Sequence, residues 1–357
     1  MNTGQAQIDY FQLAQHIKQW AAELGFHSSG ITDAHLQAAE IHLMNWLRAG
    51  FHGEMAYMAK HGERRTRPAD LIPGTLRIIS VAMNYLPEPL EQSKATLDRK
   101  DLAYIARYSL GKDYHRVLRR RLQQLAERIS AQAGNFAHRA FTDSAPVMEK
   151  ALAEKAGLGW IGKHTNLINK NQGSIFFIGE IYTNIPLAID TPAENHCGSC
   201  TACIQVCPTQ AIIGPYQLDA RRCIAYLTIE YKGIIPEELR PLVGNRVFGC
   251  DDCQLFCPWN RYAQVTPHAE FSPRHHLDQS TLIELFQWTE QEFLTKTQGS
   301  ALRRIGYPQW LRNIAVGLGN APSHPQIIPV LLQKLNHDSA LVQEHVAWAL
   351  RRHGVDH

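Results

Sequence analysis

All eight cysteines of this 357-residue chain fall between Cys197 and Cys257, and no other position carries one. Ordinary core packing does not concentrate a residue type in this way. The N-terminus, MNTGQAQIDYFQLAQ, shows no basic stretch followed by an apolar run, and no segment of about 18 uncharged apolar residues occurs anywhere. The expected setting is therefore the cytoplasm, with no membrane anchor. Thiols stay reduced there, so a cysteine cluster serves metal or redox chemistry rather than disulfides.

Spacing narrows the chemistry. Cys197-Gly-Ser-Cys200-Thr-Ala-Cys203-Ile-Gln-Val-Cys207-Pro208 reads C-x2-C-x2-C-x3-C-P, the bacterial ferredoxin run in which three thiolates hold one cluster and the fourth serves its neighbour. Cys250-Asp-Asp-Cys253-Gln-Leu-Phe-Cys257-Pro258 repeats the end of that pattern, and Cys223 stands alone between the two runs. Two [4Fe-4S] cubanes need eight thiolates, which is the number present. By the crossed pattern, Cys197, Cys200, Cys203 and Cys257 hold one cluster, and Cys207, Cys223, Cys250 and Cys253 hold the other. Cys223 enters by elimination rather than by its own spacing. Zinc sites also use C-x2-C pairs but do not call for this run.

The rest of the chain must supply a substrate site or a further cofactor. Helical periodicity at about Asp9 to Glu23, Ala34 to Leu47 and Asp113 to Ala133 alternates with strand candidates at Arg77 to Tyr85, Phe136 to Thr142 and Gly173 to Asn184, and a proline-opened helix is expected over Pro146 to Ala156. This alternation predicts an α/β layered domain over 1–190, a ferredoxin-like domain over 191–265 and a helical domain over 266–357. In the last, Pro308 to Gly319 and His337 to His353 repeat small and apolar residues at helical spacing, like HEAT-type helix pairs. The net charge is only +3, yet Lys60 to Arg128 holds 15 Lys and Arg against 8 Asp and Glu, enough to hold an anion or to form solvated helix faces.

Several motifs are set aside on context. Gly157-Leu-Gly159-Trp-Ile-Gly162-Lys163-His164 fits G-x-G-x-x-G, but follows a helix and precedes a strand, the reverse of a phosphate-binding loop. Asp113-Tyr-His115 opens the Asp-x-His-x-x-Gly signature of histidine-ligated cobalamin, but Leu118 stands in the glycine position, leaving His115 a surface or capping residue. Asp143, in Thr142-Asp-Ser-Ala-Pro146, ends a strand at the edge where open α/β sheets bind ligands. The alternative is a helix cap, a task that Ser144 serves equally well.

Taken together, Thr142-Asp-Ser-Ala-Pro-Val-Met-Glu149, Ala153 to Leu167, the ferredoxin run, Arg222 to Glu230 and Gly249 to Asn260 resemble the epoxyqueuosine reductases, cobalamin-dependent iron-sulfur enzymes of tRNA queuosine synthesis, across the whole chain. The resemblance implies an α/β cobalamin-binding domain, a bacterial two-cluster ferredoxin-like module and a C-terminal all-α HEAT-like repeat domain. Asp143 takes the proton-donor position, and the pocket around it is expected to be partly desolvated. The implied cofactor-binding residues are Arg64, Tyr108, Asp143, Ser144, Gly159, Lys163, His164 and Asn166. Arg303, Arg304, Arg312 and Arg351 are implied to hold tRNA. The enzyme would act as a monomer, with electrons from an external low-potential donor. Two other readings compete: a reductive dehalogenase-like enzyme acting on small molecules, and a non-enzymatic electron-carrying scaffold.

Overall fold

The computed structural model describes residues 8–355, which form two compact units. One takes the chain up to Gly50, Tyr57–Asn84 and Tyr114–Cys200; the other takes Phe51–Ala56, Tyr85–Asp113 and the chain from Thr201 onward. This division differs from three consecutive domains. The cysteine-rich and C-terminal helical stretches share one unit and draw two segments of the N-terminal half into it.

In the first unit β1 (Ser28–Asp33), β2 (Arg77–Asn84) and β3 (His138–Phe141) are followed by a short hairpin, β4 (Trp160–Ile161) and β5 (Leu167–Ile168), and then by β6 (Phe176–Thr183). The main sheet has the order β1-β2-β6-β3, with every neighbour antiparallel. The alternation of helix and strand suggested the ligand rule of open parallel sheets; in an antiparallel sheet that rule does not apply. The layering itself is present. α1 (Tyr10–Glu23) and α3 (Tyr114–Ala133) cover one face, and α4 (Glu149–Lys155) covers the other; α2 (Gln37–Arg48) follows β1.

Glycines mark how closely these layers approach. A Cβ at Gly30 would fall 1.9 Å from the Ala156 carbonyl oxygen, and one at Gly179 would lie 3.0 Å from Leu122 of α3. Because helices cover both faces, β2 and β6 are buried along almost their whole length, which explains their continuous apolar character.

The helix expected from Pro146 begins instead at Glu149, with Met148 as a cap that makes no side-chain bond. Residues 142–147 are taken up by tight turns, with backbone bonds from Ser144 to Thr142, Ala145 to Asp143 and Val147 to Ala145, and Asp143 has a positive φ of 51°. Asp143 therefore caps no helix.

In the second unit α5 (Ala202–Val206) and α6 (Asp252–Leu255) pack together, each preceded or traversed by a C-x2-C pair. Farther along, α7 (Tyr307–Asn320) and α8 (Ala340–Arg352) form a closely packed pair that matches the repeated pattern in the sequence. Gly319 makes this fit possible, since a Cβ there would lie 2.4 Å from the Trp348 ring. No helix among the described residues is long and apolar enough to cross a membrane.

Candidate active site and cluster ligands

Asp143 lies two residues past the last paired residue of β3, on a surface turn, with its side chain 46% exposed. Its carboxylate accepts a hydrogen bond from the Tyr114 hydroxyl, and the His115 Nε2 stands 3.2 Å away. Both partners come from the first turn of α3. The Tyr114 ring stacks on Phe177 of β6 at 4.2 Å, almost parallel, which fixes the hydroxyl beneath the turn. The backbone N–H of Asp143 donates to Glu149 Oε2 at 3.2 Å.

The desolvated carboxyls of this region are not Asp143 but its neighbours. Burial, followed by the charge of Asp143, raises the Glu149 carboxyl to about 7. Burial, with Glu149 as a further charge, pushes Glu180 well above the usual carboxylate range. Arg65 is buried close enough for its charge to sense Asp143 and Glu149, and burial lowers its pKa. Sequence reasoning missed Tyr114, Glu149, Glu180 and Arg65. Helix and strand periodicity place the first three in elements but do not show which face meets Asp143, and His115, set aside as a surface residue, belongs to the same cluster.

The residues expected around a cofactor divide into two groups. Ser144 Oγ accepts from Arg119 at 2.7 Å, and Arg64 is exposed on a short turn. His164 is buried; its Nδ1 accepts the Asn166 N–H at 3.1 Å, and its Nε2 meets no partner among the described residues. Burial, with Lys150 adding to it, lowers the His164 imidazole to about 4.

Two of the expected residues have structural tasks of their own. The Lys163 ammonium, 8% exposed, donates to the carbonyls of Gly198 and Cys200 at 2.7 and 2.8 Å, so it braces the cysteine loop. Gly159 is required by the hairpin, since a Cβ would fall 2.1 Å from the Ile168 carbonyl oxygen. Tyr108, in the second unit, lies between Tyr85 and Phe248, at centroid distances of 6.5 and 6.1 Å.

All eight cysteines are free thiols. Within the second unit, the side chains of Cys207, Cys223, Cys250 and Cys253 come together. Burial raises the thiols of Cys223, Cys250 and Cys253; Cys207 acts further on Cys223 and Cys253, and Cys223 acts on Cys250 and Cys253. Four thiols that repel one another on ionisation form a donor set suited to a cationic iron-sulfur core. Among the described residues, no three Cys, His, Asp or Glu side chains converge as ligands of a single ion; thiolates spread around a cubane stand farther apart than that. Cys203 and Cys257 are buried in the same unit. In the first unit the Trp160 indole N–H donates to Cys197 Sγ at 3.4 Å.

Of the four arginines expected to hold tRNA, Arg312 must be removed. It is fully buried, and its guanidinium donates to the carbonyls of Leu227, Tyr231 and Gly233 and to Asn313, so no phosphate can reach it. Arg304 pairs with Glu230 at 2.9 Å, Arg303 donates to the Leu294 carbonyl, and Arg351 is exposed in the last turn of α8.

The chain matches the family model described as "Epoxyqueuosine reductase QueG, DUF1730" over residues 65–144, that of a "4Fe-4S double cluster binding domain" over 196–260, and a "HEAT-like repeat" over 311–352. It is 59% identical over 347 residues to the epoxyqueuosine reductase of Pseudomonas aeruginosa, covering 97% of this chain and 96% of that protein. To the epoxyqueuosine reductase of Escherichia coli it is 55% identical over 343 residues, covering 96% of this chain and 90% of that protein. Among solved structures, it is similar to an epoxyqueuosine reductase with a tRNA-Tyr epoxyqueuosine-modified tRNA stem loop, at a TM-score of 0.86 and 29% identity over 97% of this chain and 92% of that one. It is also similar to the Bacillus subtilis enzyme with its catalytic Asp loop swung out of the active site, at a TM-score of 0.84 and 28% identity, covering 96% and 91% of the two chains. Identity at this level over nearly the whole length shows that the chain belongs to the epoxyqueuosine reductase family.

Proposed function

We propose that this chain reduces epoxyqueuosine to queuosine at the wobble position of tRNA, with Asp143 as the acid that protonates the departing epoxide oxygen. The observation that carries the reading is the Asp143 turn: an exposed carboxyl gripped by Tyr114 and His115, in a chain 59% identical to an epoxyqueuosine reductase. An exposed acid on a turn suits a substrate presented from outside, such as a base splayed from an unpaired RNA loop. Reductive loss of an epoxide oxygen needs an acid at that oxygen, and Asp143 supplies one.

Two [4Fe-4S] clusters fit the cysteine set, with Cys207, Cys223, Cys250 and Cys253 as one group of ligands and Cys197, Cys200, Cys203 and Cys257 as the other, the second resting on spacing. A low-potential donor outside the chain would feed them. Cobalamin, when bound, supplies a strongly reducing cobalt. What supports its place here is the buried, unpaired Nε2 of His164 on the glycine-rich hairpin, a polar atom that a bound group would satisfy; Asn166, whose N–H meets the other ring nitrogen, is a further candidate, and Ser144 on the Asp143 turn is another. Exposed Arg351, with Arg303, would track phosphate of the tRNA.

The test is direct. Purified protein with reconstituted clusters is incubated with cobalamin, a low-potential reductant and epoxyqueuosine-bearing tRNA, and the nucleosides are analysed. Queuosine is expected; unchanged substrate with intact clusters overturns the reading. Asp143→Asn is expected to lose about 10²–10⁴-fold in rate.

A further inference from the structure

The basic excess between Lys60 and Arg128 gathers on one side of α3. From Tyr114 to Ala126 the helix carries Arg116, Arg119, Arg120 and Arg121 and no acid; the next carboxyl is Glu127. It buries Leu118, Leu122, Leu125 and Ile129 against the sheet and α1. Arg121 turns toward that packed side, donating to the Leu24 carbonyl at 3.1 Å and to Met83 Sδ at 3.5 Å. Arg128 is paired with Glu23 of α1. Both serve the fold.

Arg116, Arg119 and Arg120 do not, and all three are exposed. Among the described residues Arg116 and Arg120 have no ion pair and no hydrogen bond, and Arg119 donates to Ser144 Oγ at 2.7 Å without meeting a carboxyl. Helical spacing sets His115 and Arg119 on one face and Arg116 and Arg120 beside it, each pair one turn apart with about 5–6 Å between Cβ atoms. The first face meets the Asp143 turn twice: His115 stands 3.2 Å from the Asp143 carboxylate, and Arg119 holds Ser144. The row of guanidinia therefore begins at the proposed acid.

This row burdens the helix that carries it. Like charges one turn apart repel, and Arg116 stands in a first turn that has no acid, at the end where the helix dipole disfavours a cation. No carboxyl among the described residues pairs with any of the three. A chain of anions would relieve the repulsion, and the strand that brings a wobble base to Asp143 carries one phosphate on each side of that nucleotide.

We propose that Arg116, Arg119 and Arg120 grip the phosphates flanking the wobble nucleotide, so that epoxyqueuosine is accepted as part of an RNA strand. This rests on the function proposed above and adds to it the RNA contacts beside the acid. Phosphate contacts fix where a strand lies without reading its sequence, which is what setting one base over a carboxyl requires. Because Arg119 is bonded to Ser144, phosphate capture and placement of the Asp143 turn share one side chain. The three arginines position the substrate and take no part in the proton transfer.

The test uses the full chain with reconstituted clusters and an anticodon stem-loop RNA bearing epoxyqueuosine, alongside the same RNA with a neutral methylphosphonate at one or the other phosphate flanking the wobble nucleotide. Affinity is followed by fluorescence anisotropy over a range of salt. Arg116→Ser and Arg120→Ser should each weaken binding of the RNA with its natural backbone by roughly tenfold and lower the slope of log affinity against log salt by about 0.7. Both variants should melt no lower than wild type, since each removes a like charge from the row. A methylphosphonate at the gripped position should weaken wild type yet cost the corresponding variant nothing further, whereas independent effects would add. Arg128→Ser, which breaks the pair with Glu23, should keep the wild-type affinity and salt slope. Arginine variants that bind as wild type does, or whose losses add to those of both methylphosphonates, overturn the surface and leave the proposed function standing. Wild type that shows the coupling but does not convert the base overturns that function and leaves the surface.

Discussion

Asp143 occupies the left-handed region of backbone space, which aspartate tolerates better than most residues, and this conformation turns its carboxyl back onto Tyr114 and His115. Tyr114→Phe removes the hydroxyl donor but keeps the ring stacked on Phe177. The expected outcome is a lower single-turnover rate with tRNA affinity unchanged; an unchanged rate would show that the hydroxyl does not orient the acid. Two other residues give the fold a pH dependence of opposite sign. Glu149, raised from 4.5 to about 7, folds best when protonated, so its contribution is complete below about 4.5 and is lost as pH climbs through about 7. His164, lowered from 6.5 to about 4, folds best when neutral, so its contribution is complete above 6.5 and is lost as pH falls towards 4. The melting temperature of Glu149→Gln should therefore rise relative to wild type as pH increases from 4.5 to 7 and level off beyond it. A difference that stays flat over that range would place the Glu149 pKa at its ordinary value.

At the scale of elements, the β4–β5 hairpin acts as a bracket for the first cysteines of the cluster run. Trp160 donates to the Cys197 sulfur, and Lys163 donates to two carbonyls of the loop from Gly198 to Cys200. Hydrogen bonds to cluster sulfurs stabilise the reduced, more negative state, so Trp160→Phe should lower the reduction potential of the cluster that Cys197 serves, as followed by redox titration. Lys163→Met removes two charge-assisted bonds, each worth about 1.5–3 kcal/mol. Iron should then be lost to a chelator faster than from wild type, and equal retention would show that the loop holds without the bracket. The hairpin itself depends on Gly159, where a methyl group would collide with the Ile168 carbonyl.

Across the whole molecule, the two compact units do not follow the order of the chain, since the segments Phe51–Ala56 and Tyr85–Asp113 join the unit that begins again at Thr201. Within that unit Arg312 ties α7 to the carbonyls of Leu227, Tyr231 and Gly233, a role that needs a buried guanidinium with several donors. Arg312→Met should lower the melting temperature markedly by leaving these buried carbonyls without donors, at about 1–3 kcal/mol for each unsatisfied group. Arg351→Ser should leave the melting temperature unchanged, weaken tRNA binding and reduce its salt dependence by roughly one ion. The reverse result would return Arg312 to the RNA surface.

The sequence alone determined the cluster chemistry, because thiolate ligation is written in short spacings: the crossed runs from Cys197 to Cys207 and Cys250 to Cys257 are local patterns. It also marked the strands β2, β3 and β6 within a few residues, since period and composition are local, and it singled out Asp143 through the Thr142 to Glu149 motif. Only the tertiary structure decided that the sheet is antiparallel, that Lys163 and Arg312 face inward, that Cys223 comes beside Cys207, Cys250 and Cys253, and that Glu149 and Glu180 lie behind Asp143. Each of these depends on which strand lies beside which and which helix face meets it, and side-chain partners far apart in the chain leave no periodic trace in it.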